Sequence, residues 1–493
     1  MKSDTPTPSE HSYVSPTLSV NSDYVPYQND PSFVVGGLPD CPDDIPILSG
    51  SEEGRLSDKI RNPKPDNPEE HPTRTIGGTR TVVNILIAQL GPGALAFSLA
   101  FKYCGLYTGM GFSFLLAALN IHCMKQLVWT SRRMCKRYGK DYLDYGHLVK
   151  KTVDMIAPGW AQRHSKKALY ATNIMISVYQ IGTCGILLVF MGSNTRKIVH
   201  HFVPSVKLQT GVYLSILLLP VVLISLIRDL KALTKLSFVG SLFILPSFIC
   251  ILSFIIQPPN KYENLDLFLP SWRGFLMFLG IVLYGLEGQP FILSLENQVK
   301  RPQNLTRFMG VIDTAMYLVT ITYVVFGFYG YLKFGERTLG SITLNLPMSQ
   351  LNITVIVLMM LNVFVGIPMQ NYVVIAMLWP GIKRKLPTRL SAHALWFEYA
   401  FIFFLVLLEY LLAFAIPNLD LIIPFVGISA GMILSLILPP LLEVAVFWED
   451  WTLKRSSFYK TAMIIKNVTI ILIGIVGMIL GLYATILSFI ESL

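Results

Sequence analysis

The stretch "ILIAQLGPGALAF", from Ile85 to Phe97, decides the fold. It belongs to an apolar run long enough to cross a bilayer, and Gly91, Pro92 and Gly93 stand at its centre. Proline removes a backbone donor and its ring clashes with the preceding turn, so a continuous helix cannot pass through. Hydrocarbon offers no water to the amide and carbonyl groups freed there, and they must face protein, a cavity or a ligand. A second run, "VLYGLEGQPFILSLEN" from Val282 to Asn297, repeats the pattern, with Gly285, Gly288 and Pro290 placed around Glu287.

The rest of the 493-residue chain supports a membrane reading, because 53% of it is hydrophobic and 14% charged. Runs of about 20 apolar residues, the length that spans a bilayer as a helix, recur about eleven times. They are expected near Thr79 to Phe101, Tyr107 to Thr130, Ala168 to Met191, Thr210 to Ile227, Lys235 to Ile256 and Trp272 to Leu295. Others follow near Phe308 to Tyr331, Leu351 to Trp379, His393 to Ile416, Leu421 to Phe447 and Met463 to Ile490. The fold class is therefore an all-α integral membrane protein of about eleven transmembrane helices. The interrupted runs are the first and the sixth. Spans 1 to 5 and 6 to 10 thus form two halves with broken helices in corresponding positions, and an odd number of spans per half makes the repeat inverted. Residues 1–75, dominated by Ser, Thr, Pro, Asp and Glu, predict a disordered tail, which leaves 76–493 as the transmembrane domain.

The net charge of +10 has its source in the even-numbered loops. Arg132, Arg133, Lys136, Arg137, Lys150, Lys151, Arg163, Lys166 and Lys167 crowd the second; Arg228 and Lys235 lie in the fourth; Lys300, Arg301 and Arg307 in the sixth; Lys383, Arg384 and Lys385 in the eighth; Lys460 in the tenth. The positive-inside rule puts those loops and the N-terminus in the cytoplasm and the C-terminus on the extracellular or lumenal side. Charge spread in this way marks a lipid bilayer as partner and argues against nucleic acid. The six cysteines show no paired spacing, so neither a metal, a cofactor nor a structural disulfide is expected.

A half-helix N-terminus presents free N–H groups and positive dipole charge to a carboxylate, while unwound carbonyls or an acid can receive an ammonium group. Gly91, Gly93 and Ala94 at the first break, with Tyr284, Gly285, Glu287 and Gly288 at the second, are the candidate substrate-binding residues. Other ionisable groups within spans need a role by default. His122 lies in span 2, Glu409 in span 9 is expected to snorkel or pair, and Glu296 is expected to cap its helix or pair with Lys300. His200 and His201 read as surface residues of the third loop. No nucleophile with a base or metal cluster is set into the spans, which makes an intramembrane enzyme the weakest of three classes, behind a transporter and a membrane-embedded sensor.

Four segments add a resemblance: "LIRDLKALTKLSFVGS" at Leu226, "LEGQPFILSLENQVK" at Leu286, "GSITLNLP" at Gly340 and "IPNLDLIIPFVGISAGMILSLILPPLLE" at Ile416. Together with "HCMKQLV" at His122, they closely resemble the proton-coupled amino acid transporters of the amino acid/auxin permease superfamily, from about Ile76 to the last span. The resemblance implies a leucine-transporter-like fold and transport of small neutral amino acids such as glycine, alanine or proline. It also implies a proton as co-substrate and a plasma or endolysosomal membrane. Two departures bear on coupling. Asn84 occupies the position of the family's first-span histidine, and Ala376 that of a glutamate in span 8. Asn84 cannot titrate, so coupling is expected to be weak or absent, with Glu287 and His122 as the remaining candidates and proton symport as the alternative that the resemblance supports.

Overall fold

The computed structural model describes residues 76–492 apart from 141, 157–159, 259–264, 388–392 and 455. The expected disordered tail lies outside the described residues. Among the described residues nine helices are long and apolar enough to cross a membrane, and a tenth span is the bent pair Gly78–Gln89 and Pro92–Cys104, angled by 63°. The shorter apolar helix Thr210–Ser225 takes the place of the fourth expected span. Span 1 is the bent pair, span 2 Leu106–Tyr138, span 3 Trp160–Phe202, span 4 Thr210–Ser225 and span 5 Leu230–Ile256. Span 6 consists of Trp272–Leu286 and Gln289–Glu296, span 7 is Val311–Phe334, span 8 Gln350–Lys385 and span 9 Ala394–Ala415. Span 10 begins at Leu419–Val426 and ends as Leu438–Lys454, and span 11 is Ser457–Ser492.

Several helices outrun their apolar cores. Span 2 ends where Gly139 adopts φ 59°, a left-handed cap that suits glycine. Span 3 continues to Phe202, so His200 and His201 are exposed in its last turn and not in a loop. Between these spans the basic loop folds into a helix, Tyr145–Ile156, which buries Tyr145, Leu148, Val149 and Thr152 along one face. The spacing of those residues is that of an amphipathic helix. The Tyr145 hydroxyl anchors the helix on the Leu434 carbonyl at 2.9 Å.

Span 10 widens into π-helical turns at Gly427–Gly431 and Ile433–Ile437, just after Pro424 removes a donor from its ladder. There it packs backbone to backbone on the first half of span 6. A β-carbon added at Gly427 would lie 2.8 Å from the Gly280 carbonyl carbon and 3.0 Å from the Tyr284 amide nitrogen, a fit open to glycine.

Ion pairs join the spans at the end that carries the basic loops. Arg132 meets Glu296 at 2.5 Å, Arg133 meets Asp450 at 2.8 Å, and Arg228 grips both oxygens of Glu398 at 2.8 and 2.7 Å. Glu296 therefore pairs with span 2, because Arg132 reaches it across the helix interface. Ile76 pairs with the strand-like segment after span 6, donating to the Gln298 carbonyl at 3.0 Å and accepting from the Lys300 amide at 2.9 Å. At the opposite end Lys102 donates to the Glu336 carbonyl at 2.6 Å. Lys197 donates to the carbonyls of Thr343 and Leu346 at 2.8 and 2.6 Å, fixing a short helix, Ile342–Asn345, whose Ile342 and Thr343 are fully buried.

Candidate functional site

The two breaks follow from local chemistry. Gly91 caps the second half of span 1 and Pro92 occupies its first turn, where a missing N–H costs nothing and the ring angle suits a helix. The Ala94 amide donates to the Gly91 carbonyl at 3.1 Å. In span 6 the first half ends at Leu286, Glu287 is extended, and Gly288 caps a second half that carries Pro290 in its first turn.

The breaks adjoin. A β-carbon at Gly93 would lie 3.4 Å from the Tyr323 hydroxyl, 3.5 Å from the Gly285 Cα and 3.9 Å from Tyr284 Cε1. At Gly285 it would press on Phe97 and Tyr323 at 2.8 and 2.9 Å, whereas at Gly91 it would meet open space. Gly93, Tyr284 and Gly285 are thus brought together, with Gly91 and Ala94 flanking Gly93 in the chain and Glu287 and Gly288 following the helical end of Tyr284 and Gly285. Gly288 faces Met124 and Gln89.

Side chains from other spans hold the carbonyls released by unwinding. Asn120 of span 2 donates to the Leu286 carbonyl at 2.6 Å, and Gln89 of span 1 donates to that of Glu287 at 2.8 Å. Tyr179 of span 3 donates to the Tyr284 carbonyl at 3.3 Å, while Tyr323 of span 7 donates to that of Gln89 at 2.5 Å. Gln289 completes the frame by accepting the Gly288 amide at 2.9 Å and donating to Asn120 Oδ1 at 2.6 Å. None of Gln89, Asn120, Tyr179, Gln289 or Tyr323 was singled out by sequence reasoning, which weighed ionisable groups. Uncharged amides within apolar runs were the available signal, since each must find a partner in hydrocarbon.

Glu287 stands apart from this frame. Its residue is 6% exposed, and neither carboxylate oxygen has a hydrogen-bond partner among the described residues. The nearby Ser435 hydroxyl is instead turned onto the Gly431 carbonyl at 2.7 Å. A buried carboxyl so placed is suited to receive a cationic ligand group or to hold a proton. Asn84 does not join the junction; it is exposed on the first half-helix, seven residues or about 10 Å along the axis from Gly91. His122 has a buried Nε2 without a hydrogen-bond partner among the described residues and an edge-on ring contact with Trp129 at 6.3 Å. Glu409 neither snorkels nor meets a cation among the described residues. It is fully buried and reaches the Asn371 amide at 3.5 Å, because its position in span 9 faces the neighbouring helices.

Known proteins agree with this architecture. The family model described as "Transmembrane amino acid transporter protein" matches residues 74–487. A Caenorhabditis elegans protein named probable amino acid transporter skat-1 is 30% identical over 416 residues, which cover 84% of this chain and 90% of that protein. The Drosophila melanogaster proton-coupled amino acid transporter-like protein pathetic is 28% identical over 429 residues, 87% of each chain. The solved structure described as the inward facing conformation of Mhp1 aligns with a TM-score of 0.51 at 12% identity, covering 86% of this chain and 94% of that one, and it supports the fold alone. With two broken helices in corresponding positions of an inverted, leucine-transporter-like repeat and a family match over nearly all described residues, the chain belongs to the transmembrane amino acid transporter protein family.

Proposed function

We propose that the chain carries small neutral amino acids across a plasma or endolysosomal membrane by alternating access, with the substrate held between the breaks of spans 1 and 6. The contact that supports this most directly is the approach of Gly93 to the Gly285 Cα at 3.5 Å from its virtual β-carbon. It places the start of one half-helix beside the end of another. The substrate carboxylate meets amides near Gly91 to Ala94, and its ammonium group meets the carbonyls around Tyr284 and Gly285, with Glu287 as the acid of the site. The Ala94 amide and the Tyr284 carbonyl already have partners, but a carbonyl oxygen has a second lone pair and the cap amides of the first turn remain available.

The bulky side chains around the junction, Phe97, Tyr284 and Tyr323, favour a substrate with a small side chain. Alanine is therefore expected to compete for uptake into proteoliposomes about tenfold better than arginine or tryptophan, a modest ratio because steric exclusion per methylene is worth ~1–3 kcal/mol. Equal competition by all three would contradict the assignment. Binding of alanine without uptake would favour the sensor reading.

The basic end of the bundle is assigned to the cytoplasm. Epitope tags at the two termini, probed after selective permeabilisation, are expected to report a cytoplasmic N-terminus and a C-terminus on the other side. Both tags on one side would overturn the assignment. Asn84 cannot carry a proton, so any proton that moves with the substrate uses another group.

A further inference from the structure

Span 10 carries a pair of prolines, Pro439 and Pro440, just after its second π-helical turn. Neither has an N–H, so the ladder loses two consecutive donors. The Leu438 amide bonds the Ile433 carbonyl five residues back, and in that register the donor for the Leu434 carbonyl is the missing one of Pro439. The Ser435 carbonyl is worse placed. Its donor is Pro439 in an α register and Pro440 in a π register, and neither has an N–H to give. Two neighbouring carbonyls are thus stranded by the sequence itself, and both residues are buried.

They are taken up from two different elements. The Tyr145 hydroxyl donates to the Leu434 carbonyl at 2.9 Å, and Gln289 Nε2, at the start of the second half of span 6, donates to the Ser435 carbonyl at 3.4 Å. Gln289 is also the residue that holds the Gly288 amide at 2.9 Å and Asn120 at 2.6 Å. Two adjacent carbonyls of span 10 therefore stand between a helix outside the spans and the break in span 6. The helix that carries Tyr145 is itself fixed. Asp144 caps it by accepting the His147 amide at 2.8 Å, and Gly146 seats it on span 3, where an added β-carbon would lie 3.1 Å from Asn173 Cγ and 3.2 Å from Leu169 Cδ1. Tyr145 is 2% exposed.

We propose that Tyr145 is a positioning residue of the substrate site, acting through the Leu434 and Ser435 carbonyls of span 10 on Gln289 at the span 6 break. Without its hydroxyl the Leu434 carbonyl is an orphan in a dry interior, a state costly enough for the turn to rearrange. The Leu438 amide then passes from Ile433 to Leu434 and closes an α-helical turn. This change of register turns the Ser435 carbonyl away from Gln289 and releases an N–H that otherwise pins the break. The helix Tyr145–Ile156 is in this way a brace that sets the shape of the site from outside the spans. The proposal rests on the reading that substrate binds between the breaks, and it extends the control of that site to a loop.

Tyr145→Phe removes one oxygen and keeps the ring. In detergent-purified full-length protein, equilibrium binding of labelled alanine is expected to weaken about threefold to tenfold, the worth of one hydrogen bond. A dissociation constant reads the folded fraction alone, so simple destabilisation would leave it unmoved. Pro439→Ala makes the test specific, because it returns an N–H to the stranded turn. Whether the new amide takes the Leu434 carbonyl or that of Ser435, the Tyr145 hydroxyl no longer decides the register, and on this background Tyr145→Phe should change binding by less than about twofold. Hydrogen exchange supplies a reading that needs no ligand. Peptides spanning Gly288, whose amide Gln289 holds, should exchange faster in Tyr145→Phe than in the wild type, and the difference should disappear on the Pro439→Ala background. Exchange at Gly288 that ignores Tyr145→Phe overturns the proposal, as does alanine binding within about twofold of the wild type or a pair of effects that multiply. A wild-type chain that binds no alanine refutes the substrate reading instead, and the exchange at Gly288 still decides the role of Tyr145.

Discussion

Gly93→Leu protein is expected to insert normally and to lose alanine uptake by about 100-fold or more, equivalent to ~2.7 kcal/mol and within the usual cost of overpacking. The reason is distance. A first carbon at position 93 sits in ordinary contact with Tyr323 and Gly285, but the three further carbons of leucine must enter the space between the breaks. Gly93→Ala, which adds the first carbon alone, should keep most activity. The order reverses at the facing glycine. Gly285→Ala drives its methyl group to 2.8 Å from Phe97 and 2.9 Å from Tyr323, so one carbon there should do more harm than one carbon at Gly93. Initial uptake rates normalised to reconstituted protein give the comparison, and a Gly93→Leu variant that transports like the wild type removes the substrate from this junction.

Asn120→Leu is the second large effect, and it acts on the frame. The change strands two groups in a dry interior, the Leu286 carbonyl and one N–H of Gln289. Each orphan costs ~1–3 kcal/mol, so a destabilisation of about 2–6 kcal/mol is expected, seen as a marked fall in the thermal midpoint of detergent-purified protein. Asn120→Asp separates the two bonds. A carboxylate can still accept from Gln289 but cannot donate to Leu286, and its loss should be intermediate. A leucine variant as stable as the wild type would mean that the unwound segment is held by other contacts.

The breaks in spans 1 and 6 were legible because Gly-Pro-Gly and Gly-Gln-Pro are covalent facts that no tertiary packing can turn back into a continuous apolar helix. Hydropathy then counted the spans, and the spacing of the breaks gave the inverted repeat. What sequence spacing could not supply was register between helices. Which carbonyl Asn120 or Gln89 reaches depends on how deeply spans 1, 2 and 6 sit against one another, and a single chain carries no direct signal of that depth. Glu296 shows the same limit, since Lys300 is its neighbour in sequence and Arg132 its partner in space. The helix Tyr145–Ile156 was legible in principle. Its buried residues at positions 145, 148, 149 and 152 have helical spacing, but the loop around them is dominated by charge. The link from Tyr145 to Gln289 was hidden for a different reason: Pro439 and Pro440 are legible as missing donors, but which groups take the stranded carbonyls is decided once three elements are packed.

Transport through the space between the breaks is tested most directly by counterflow. Proteoliposomes of the purified chain are loaded with unlabelled alanine and diluted into a trace of labelled alanine at equal pH on both sides, so that no proton gradient contributes. Transient accumulation of label in wild-type vesicles, abolished by Gly93→Leu and preserved in Gly93→Ala, is the expected result. Alanine binding by the wild-type protein without any accumulation, or accumulation that survives Gly93→Leu, would contradict it.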